Sequence, residues 1–178
     1  MVYVFLANGF EEIEALTVVD ILRRADIAVT TVSINEDTLV IGAHGIKVIA
    51  DKLSNEISDT FSAIVLPGGM PGTVNLEVND VVNRYINLAK EESKLICAIC
   101  AAPSILGKMG LLDGKNATCY PGFENHLKGA KCKNKGVVCD GNIITSMAMG
   151  SAVDFALAIV GRLTSEAKAK VIKKQICY

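Results

Sequence analysis

The chain has 178 residues, 51% of them hydrophobic, with 18 lysines and arginines against 19 aspartates and glutamates. That balance carries neither the basic footprint of a nucleic-acid binder nor that of a protein held on an anionic membrane, and it suits a small, roughly neutral ligand. The length suffices for one domain with a substantial core, taken as residues 1–178, and the longest apolar runs, Ala63 to Leu66 and Ala156 to Val160, fall far short of the ~20 residues of a membrane span.

Met1 to Leu6 lacks a basic region and runs into an acidic segment, so no signal peptide is expected and the chain is assigned to the cytoplasm. Val2 to Ala7 is a continuous apolar run of the kind a buried parallel strand shows, closed by Asn8-Gly9-Phe10. Glu11 to Ala25 follows with acids in its first turn, arginines in its last and apolar residues at 15, 18, 19 and 22, which predicts an amphipathic helix. Ala28 to Ile34 predicts the next strand and completes a right-handed β-α-β unit. Thr38 to Gly42 and Ile46 to Ala50, flanking His44-Gly45, predict a small inserted hairpin. Ser62 to Leu66 returns to the core as a strand and stops at Pro67-Gly68-Gly69-Met70-Pro71-Gly72, a loop whose glycines let backbone N–H groups approach an anion. Asn79-Asp80 opens a helix through Val81, Val82, Tyr85, Ile86 and Ala89.

Leu95 to Ile99 is too short for an independent helix and rich in residues that suit a buried strand, while Pro103 belongs in the first turn of a helix running to Met109. Cys100 therefore sits on a sharp strand-to-helix corner. Further on, Ala117 to Tyr120 predicts a strand, Gly122 to Leu127 a short helix, and Val137 to Ser146 a hairpin turning at Asp140-Gly141. Gly150 to Leu163 predicts an apolar helix, and Thr164 or Ser165 caps a last, lysine-rich one. Strands alternating with helices point to a doubly wound α/β sandwich, a mostly parallel sheet with helices on both faces.

In such a sheet ligands bind beyond the carboxyl ends of the strands, so Asn8 to Glu11, Gly68-Gly69 and Cys100-Ala101 should converge. Unpaired N–H groups at the start of the helix after Cys100 favour thiolate over thiol, which sets the expectation of a pKa below the ~8.5 of a free cysteine. Glu11 and Glu14 are three apart and share a helical face, whereas Glu12 should point elsewhere. A carboxyl group shielded from water beside a thiolate has its pKa raised and donates a hydrogen bond to the sulfur, and Glu14 is the candidate. Cys97 lies within the strand, ~10 Å from Cys100 at Cα, so the two cannot bridge. The remaining cysteines have no zinc-finger spacing, and all six are expected as free thiols in a reducing compartment. His44, in the small hairpin, and His126, in a surface helix, are read as exposed-loop residues that chain topology could still bring to the site; no aspartate or serine pattern suggests a hydrolase triad, and no metal or cofactor motif is present.

Asn8-Gly9-Phe10-Glu11-Glu12-Ile13-Glu14, Leu66-Pro67-Gly68-Gly69, Ala98-Ile99-Cys100-Ala101-Ala102-Pro103 and Asp154 to Val160 together resemble the ThiJ/PfpI family, most closely the subfamily of the Parkinsonism-associated protein deglycase DJ-one and its bacterial homologues. The resemblance implies a flavodoxin-like sandwich, a homodimer, and an elbow nucleophile, Cys100, whose thiolate accepts a hydrogen bond from protonated Glu14. It implies roles in oxidative and carbonyl stress: a peroxide-sensitive cysteine, chaperone activity, and cofactor-free glyoxalase or deglycase chemistry. On that reading Cys100 attacks the aldehyde of methylglyoxal, Glu14 moves a proton between adjacent carbons and water releases lactate. The Gly69 and Ala101 N–H groups hold the oxyanion, while Glu11, Gly68 and Tyr120 form the pocket wall. The alternative is a redox sensor or redox-regulated chaperone without significant turnover.

The chain departs from the pattern at four places. Ala101 stands where peptidase-type and amidase-type members have histidine, which removes that reading's general base. Tyr120 stands where glyoxalase-type members have a histidine before proline. Met147-Ala148-Met149-Gly150 replaces a Gly-Pro-Gly-like turn, and His44 takes a position near the dimer contact that often holds arginine. The family's label of thiazole monophosphate biosynthesis finds no phosphate-binding fingerprint here.

Overall fold

Along β1 (Val2–Leu6) the side chains alternate between two cores: Val2, Val4 and Leu6 enter one, Tyr3 and Phe5 the other. A strand buried on both faces needs apolar residues throughout, and this one has them. The computed structural model, which describes residues 1–178, builds a seven-stranded sheet around it in the order β10, β11, β7, β6, β1, β2, β5. The members are β2 (Val29–Ser33), β5 (Lys52–Leu53), β6 (Ala63–Leu66), β7 (Leu95–Ile99), β10 (Val137–Asp140) and β11 (Ile143–Ser146). Every neighbouring pair is parallel except β10 with β11.

Helices cover both faces. The first core takes in α1 (Glu12–Arg24), α5 (Ala152–Leu163) and α6 (Glu166–Gln175), and the second α2 (Gly72–Glu77), α3 (Asp80–Glu91) and α4 (Pro103–Lys108). This is the doubly wound α/β sandwich that the alternation predicts. The chain reverses direction across the sheet between β1 and β6, so the loops after β1, β6 and β7 crowd together at one edge. Caps stop the helices as expected: the Asn79 side chain accepts from the Val82 N–H, and Ser165 rather than Thr164 accepts from Lys168.

The inserted hairpin forms as β3 (Leu39–Ile41) and β4 (Lys47–Ile49), a separate two-stranded sheet. It is fastened over the start of α1 by hydrogen bonds from Gly9 N–H to the Ile41 carbonyl, 2.7 Å, and from Ala43 N–H to the Phe10 carbonyl, 2.8 Å.

Some local expectations need correction. The β10–β11 turn falls at Gly141-Asn142, because Asp140 pairs with Ile143. Ala117 to Tyr120 is not a strand: only β8 (Asn116–Ala117) pairs, with β9 (Lys131–Cys132), and beyond it the Thr118 N–H is taken by the Thr145 hydroxyl. The helix expected over Gly122 to Leu127 is a single 3₁₀ turn at Glu124–His126, and another such turn, Met149–Ser151, precedes α5. At the turn and at Ala117 to Tyr120 long-range pairing decides the outcome, whereas the two 3₁₀ turns are held by local hydrogen bonds.

Candidate active site

Cys100 adopts φ +64°, a left-handed conformation that costs a non-glycine residue about 1–2 kcal/mol. The cost is met by fixing its peptide on both sides. Its N–H donates to the Ser146 carbonyl at 2.9 Å, and its own carbonyl accepts from the Tyr120 N–H at 2.8 Å. The bend turns the thiol out of the sheet edge, partly exposed, while Cys97 three residues earlier is fully buried between Val65 and Ile144. All six cysteines are free thiols.

The Glu14 side chain reaches this thiol from α1 and is almost fully buried, with 1% of its surface exposed. Oε2 accepts the Gly68 N–H at 2.8 Å, and the Met149 N–H also acts on the carboxyl group. Gly68 must be glycine for steric reasons, because a Cβ there would lie 2.6 Å from Cys100 Cβ and 2.7 Å from Glu14 Oε2. The Cys100 and Glu14 side chains fill the space a larger residue would need. Gly69, at φ +89°, lets the β6 loop lie flat against the backbone of Gly9 to Glu11, where Glu11 N–H donates to the Gly68 carbonyl at 2.9 Å.

Burial is the main cause that raises Glu14 to about 7, and the charge of Glu11 adds to it. Burial, then the neighbouring Glu14 carboxylate, push the Cys100 thiol up to about 12, against the pull of the Ala101 and Gly69 N–H groups. Burial and the neighbouring acid thus oppose the lowering expected from the helix start. α4 has only six residues, and its weak field is outweighed by loss of solvent and by the adjacent acid. Between the two values the pair holds one proton and one negative charge.

The placement of that proton follows from hydrogen-bonding capacity. A protonated carboxyl still accepts the Gly68 N–H through one oxygen while the other donates to sulfur. The Gly69 and Ala101 N–H groups have no other backbone partner, and a neutral thiol accepts weakly, so of the two forms of the sulfur thiolate satisfies them better. Proton on Glu14 and charge on Cys100 is the arrangement that satisfies every donor.

The sequence candidates thus gather at one edge. Glu14, Cys100, Gly68, Gly69 and Ala101 meet directly, and Glu11 stands beside them at the N-terminal boundary of α1 without a capping side-chain hydrogen bond. Tyr120 joins through its backbone, its ring exposed and edge-on to Phe123 at 6.4 Å. Sequence reasoning missed the Ser146 carbonyl and the Met149 N–H, because only the β7–β11 pairing brings them near. It also missed that Glu12, which does point away from Cys100, is buried and bound to His44. Carboxylate oxygens of Glu11 and Glu12 and a ring nitrogen of His44 lie within 4.8 Å of one another, a closeness that the hydrogen bond between His44 and Glu12 explains.

Residues 1–162 match the family model described as the DJ-1/PfpI family. The chain belongs to that family. It is 38% identical to Protein DJ-1 homolog B of Arabidopsis thaliana over 92% of this chain, although it spans only 38% of that protein. It is 37% identical to Protein dj-1beta of Drosophila melanogaster, covering 96% of this chain and 93% of the fly protein. Glutathione-independent glyoxalase DJR-1.2 of Caenorhabditis elegans is 29% identical over 94% of this chain and 90% of its own. A crystal structure of a DJ-1 superfamily protein from Salmonella typhimurium superposes with a TM-score of 0.95 at 37% identity, covering 99% of this chain and 97% of that one.

The raised Glu14 pKa makes a prediction about stability. A group whose folded pKa exceeds its unfolded value stabilises the fold fully below about 4.5, and that contribution is lost as pH rises through about 7. Glu14→Gln removes the loss. Urea unfolding should show the variant gaining on wild type by on the order of 1–3 kcal/mol between pH 5 and pH 8.

Proposed function

We propose that this DJ-1/PfpI-family protein is a cofactor-free, cysteine-dependent enzyme for α-oxoaldehydes such as methylglyoxal or their early protein adducts. The observation that carries the reading is the buried Glu14 carboxyl beside the Cys100 thiol, with the Gly69 and Ala101 N–H groups facing the sulfur. The glyoxalase activity named for the C. elegans relative supports the substrate class.

The chemistry follows from one proton. Thiolate adds to the aldehyde carbon, the oxyanion forms beside the two amides, and Glu14 supplies its proton to give a hemithioacetal. Glu14, now ionised, removes the hydrogen from that carbon and returns it to the adjacent one, which converts the adduct to a lactoyl thioester. Water then breaks the C–S bond. Lactate leaves, one proton restores Glu14, and a second goes to solvent.

The peroxide reading rests on the same geometry. A partly exposed sulfur with two N–H donors and a carboxyl donor also holds the oxygens of a sulfinate, so Cys100 is the first thiol that oxidation should reach. A second copy of the chain is the proposed macromolecular partner. Ile13 and Leu16 of α1 and Met149 remain 48%, 37% and 52% exposed, an apolar surface close to Glu14 that a homodimer would cover. The site of action proposed is the cytoplasm.

Lactate formation from methylglyoxal is expected for wild type, to be abolished in Cys100→Ala, and to fall about 10²–10⁴-fold in Glu14→Gln, which keeps the hydrogen bonds but cannot carry a proton. Equal rates in wild type and Cys100→Ala would exclude the enzyme. Mass spectrometry after mild peroxide then decides for a sensor if two oxygens accumulate on Cys100 ahead of the other thiols, and uniform oxidation excludes that role. Sedimentation should show twice the 18.9 kDa chain mass, and a monomer would remove the dimer.

A further inference from the structure

Glu11, Glu12 and His44 converge at the start of α1. His44 Nδ1 is 2.9 Å from Glu12 Oε2 and 3.6 Å from Glu11 Oε2, and one ligand atom from each of the three lies within 4.8 Å of the other two. The glutamates are neighbours in sequence, whereas the histidine arrives on the inserted hairpin, 32 residues from Glu12. The set therefore forms no linear motif.

Charge is unbalanced among these groups. The Glu12 side chain is 4% exposed and that of Glu11 13%, yet neither pairs with a lysine or arginine, and His44 is the one basic group in contact with them. A charged ring offsets one carboxylate and a neutral ring offsets none, so at least one negative charge stays largely out of water without a counter-charge. The hydrogen bond between His44 and Glu12 joins two corners of the triangle. The third, the Glu11 carboxylate, receives no hydrogen bond from the chain and has only the 3.6 Å contact with the ring.

The surroundings fix the other atoms. The His44 backbone N–H donates to Glu12 Oε1 at 2.8 Å, which leaves Oε2 to the ring. A Cβ at Gly42 would collide with the Glu12 carboxyl, so glycine makes room for it. Glu11 is anchored through its backbone, whose N–H donates to the Gly68 carbonyl at 2.9 Å. Outer contacts of this kind orient the groups that ligate a metal ion. Ligands bound at about 2.0–2.2 Å to one ion stand about 3.0–3.5 Å apart, and the separations of 2.9 and 3.6 Å bracket that range. The remaining separation closes by rotation of the unheld Glu11 side chain.

We propose that Glu11, Glu12 and His44 bind one divalent first-row transition cation, of the Zn²⁺ or Mn²⁺ class, which ties the inserted hairpin to the start of α1. One imidazole nitrogen and two carboxylate oxygens suit such an ion better than Ca²⁺, which takes six or more oxygens, or Cu(I), which prefers sulfur. His44 Nδ1 ligates through its lone pair. The hydrogen it shares with Glu12 is replaced by the ion, and the ring carries its hydrogen on Nε2 instead. A neutral ring thus loses no proton, and a charged ring gives one to solvent. The ring is 68% exposed, so water fills the coordination positions that three protein ligands leave open. The ion takes no part in the Cys100 chemistry, and the site is independent of the aldehyde reading.

Mn²⁺ is the probe, because it is a poor partner for the six thiols. Titrated into the full, reduced chain and followed by loss of the free-ion electron paramagnetic resonance signal, it should bind once per chain. His44→Ala and Glu11→Gln, each checked for the wild-type circular dichroism spectrum, should weaken binding roughly 10–100-fold or more. Mn²⁺ should also raise the melting temperature of wild type and of Cys100→Ala but not that of His44→Ala, whose exposed ring is removable without disturbing the core. Absence of binding to wild type at millimolar Mn²⁺ would overturn the site. Binding that survives either the His44 or the Glu11 substitution would place the ion elsewhere and overturn it equally.

Discussion

One proton shared between the Glu14 carboxyl and the Cys100 sulfur is the constraint around which this edge of the sheet is arranged. Burial makes a second charge in the pair too costly, so the pair holds a single charge between about 7 and about 12. Every unusual local feature serves that charge. The left-handed Cys100 backbone turns the sulfur out, Gly68 vacates the volume that the two side chains fill, and the positive φ of Gly69 brings the β6 loop under Glu11. Strain of this kind persists only where the surroundings over-determine it, and here the Ser146 carbonyl and the Tyr120 N–H do so.

Beside this edge the inserted hairpin adds a second pair of acid and base, Glu12 and His44. It is a small unit outside the main sheet, with no core of its own, yet it is hydrogen-bonded to Gly9 and Phe10 and carries His44 to the start of α1. A buried Glu12 would be expensive without a partner. With His44 at 2.9 Å it becomes a fixed anion that orients an exposed imidazole. Cys100 and Glu14 thus come from the corner after β7 and from α1, whereas His44 at the rim comes from the hairpin.

Much of the fold was legible in the sequence because it rests on period and punctuation. Continuous apolar runs at β1, β6 and β7, charges matched to the dipole of α1, and Asn79 and Ser165 as caps are local signals, and the structure honours them. What failed was short or long-range. Two-residue strands such as β5, β8 and β9 carry no periodicity, and a turn displaced by one residue is decided by pairing with β11. At the site, the strand-Cys-Ala-Ala-Pro corner singled out Cys100, whereas spacing put both Glu11 and Glu14 on the facing side of α1 and the family resemblance favoured Glu14. The burial and the neighbouring acid that oppose the helix start at this thiol are properties of the packed molecule, which the corner does not encode. His44 reached the rim through a contact 32 residues away in sequence, which no local motif encodes.

The most direct test is the rate of Cys100 alkylation against pH, read on the Cys100 peptide by mass spectrometry. If the pair's first proton loss leaves the charge on sulfur, the midpoint lies near 7 and below the ~8.5 of free cysteine. If the proton stays on sulfur and Glu14 carries the charge, the midpoint moves to 8.5 or above, toward about 12, and the proposed chemistry fails.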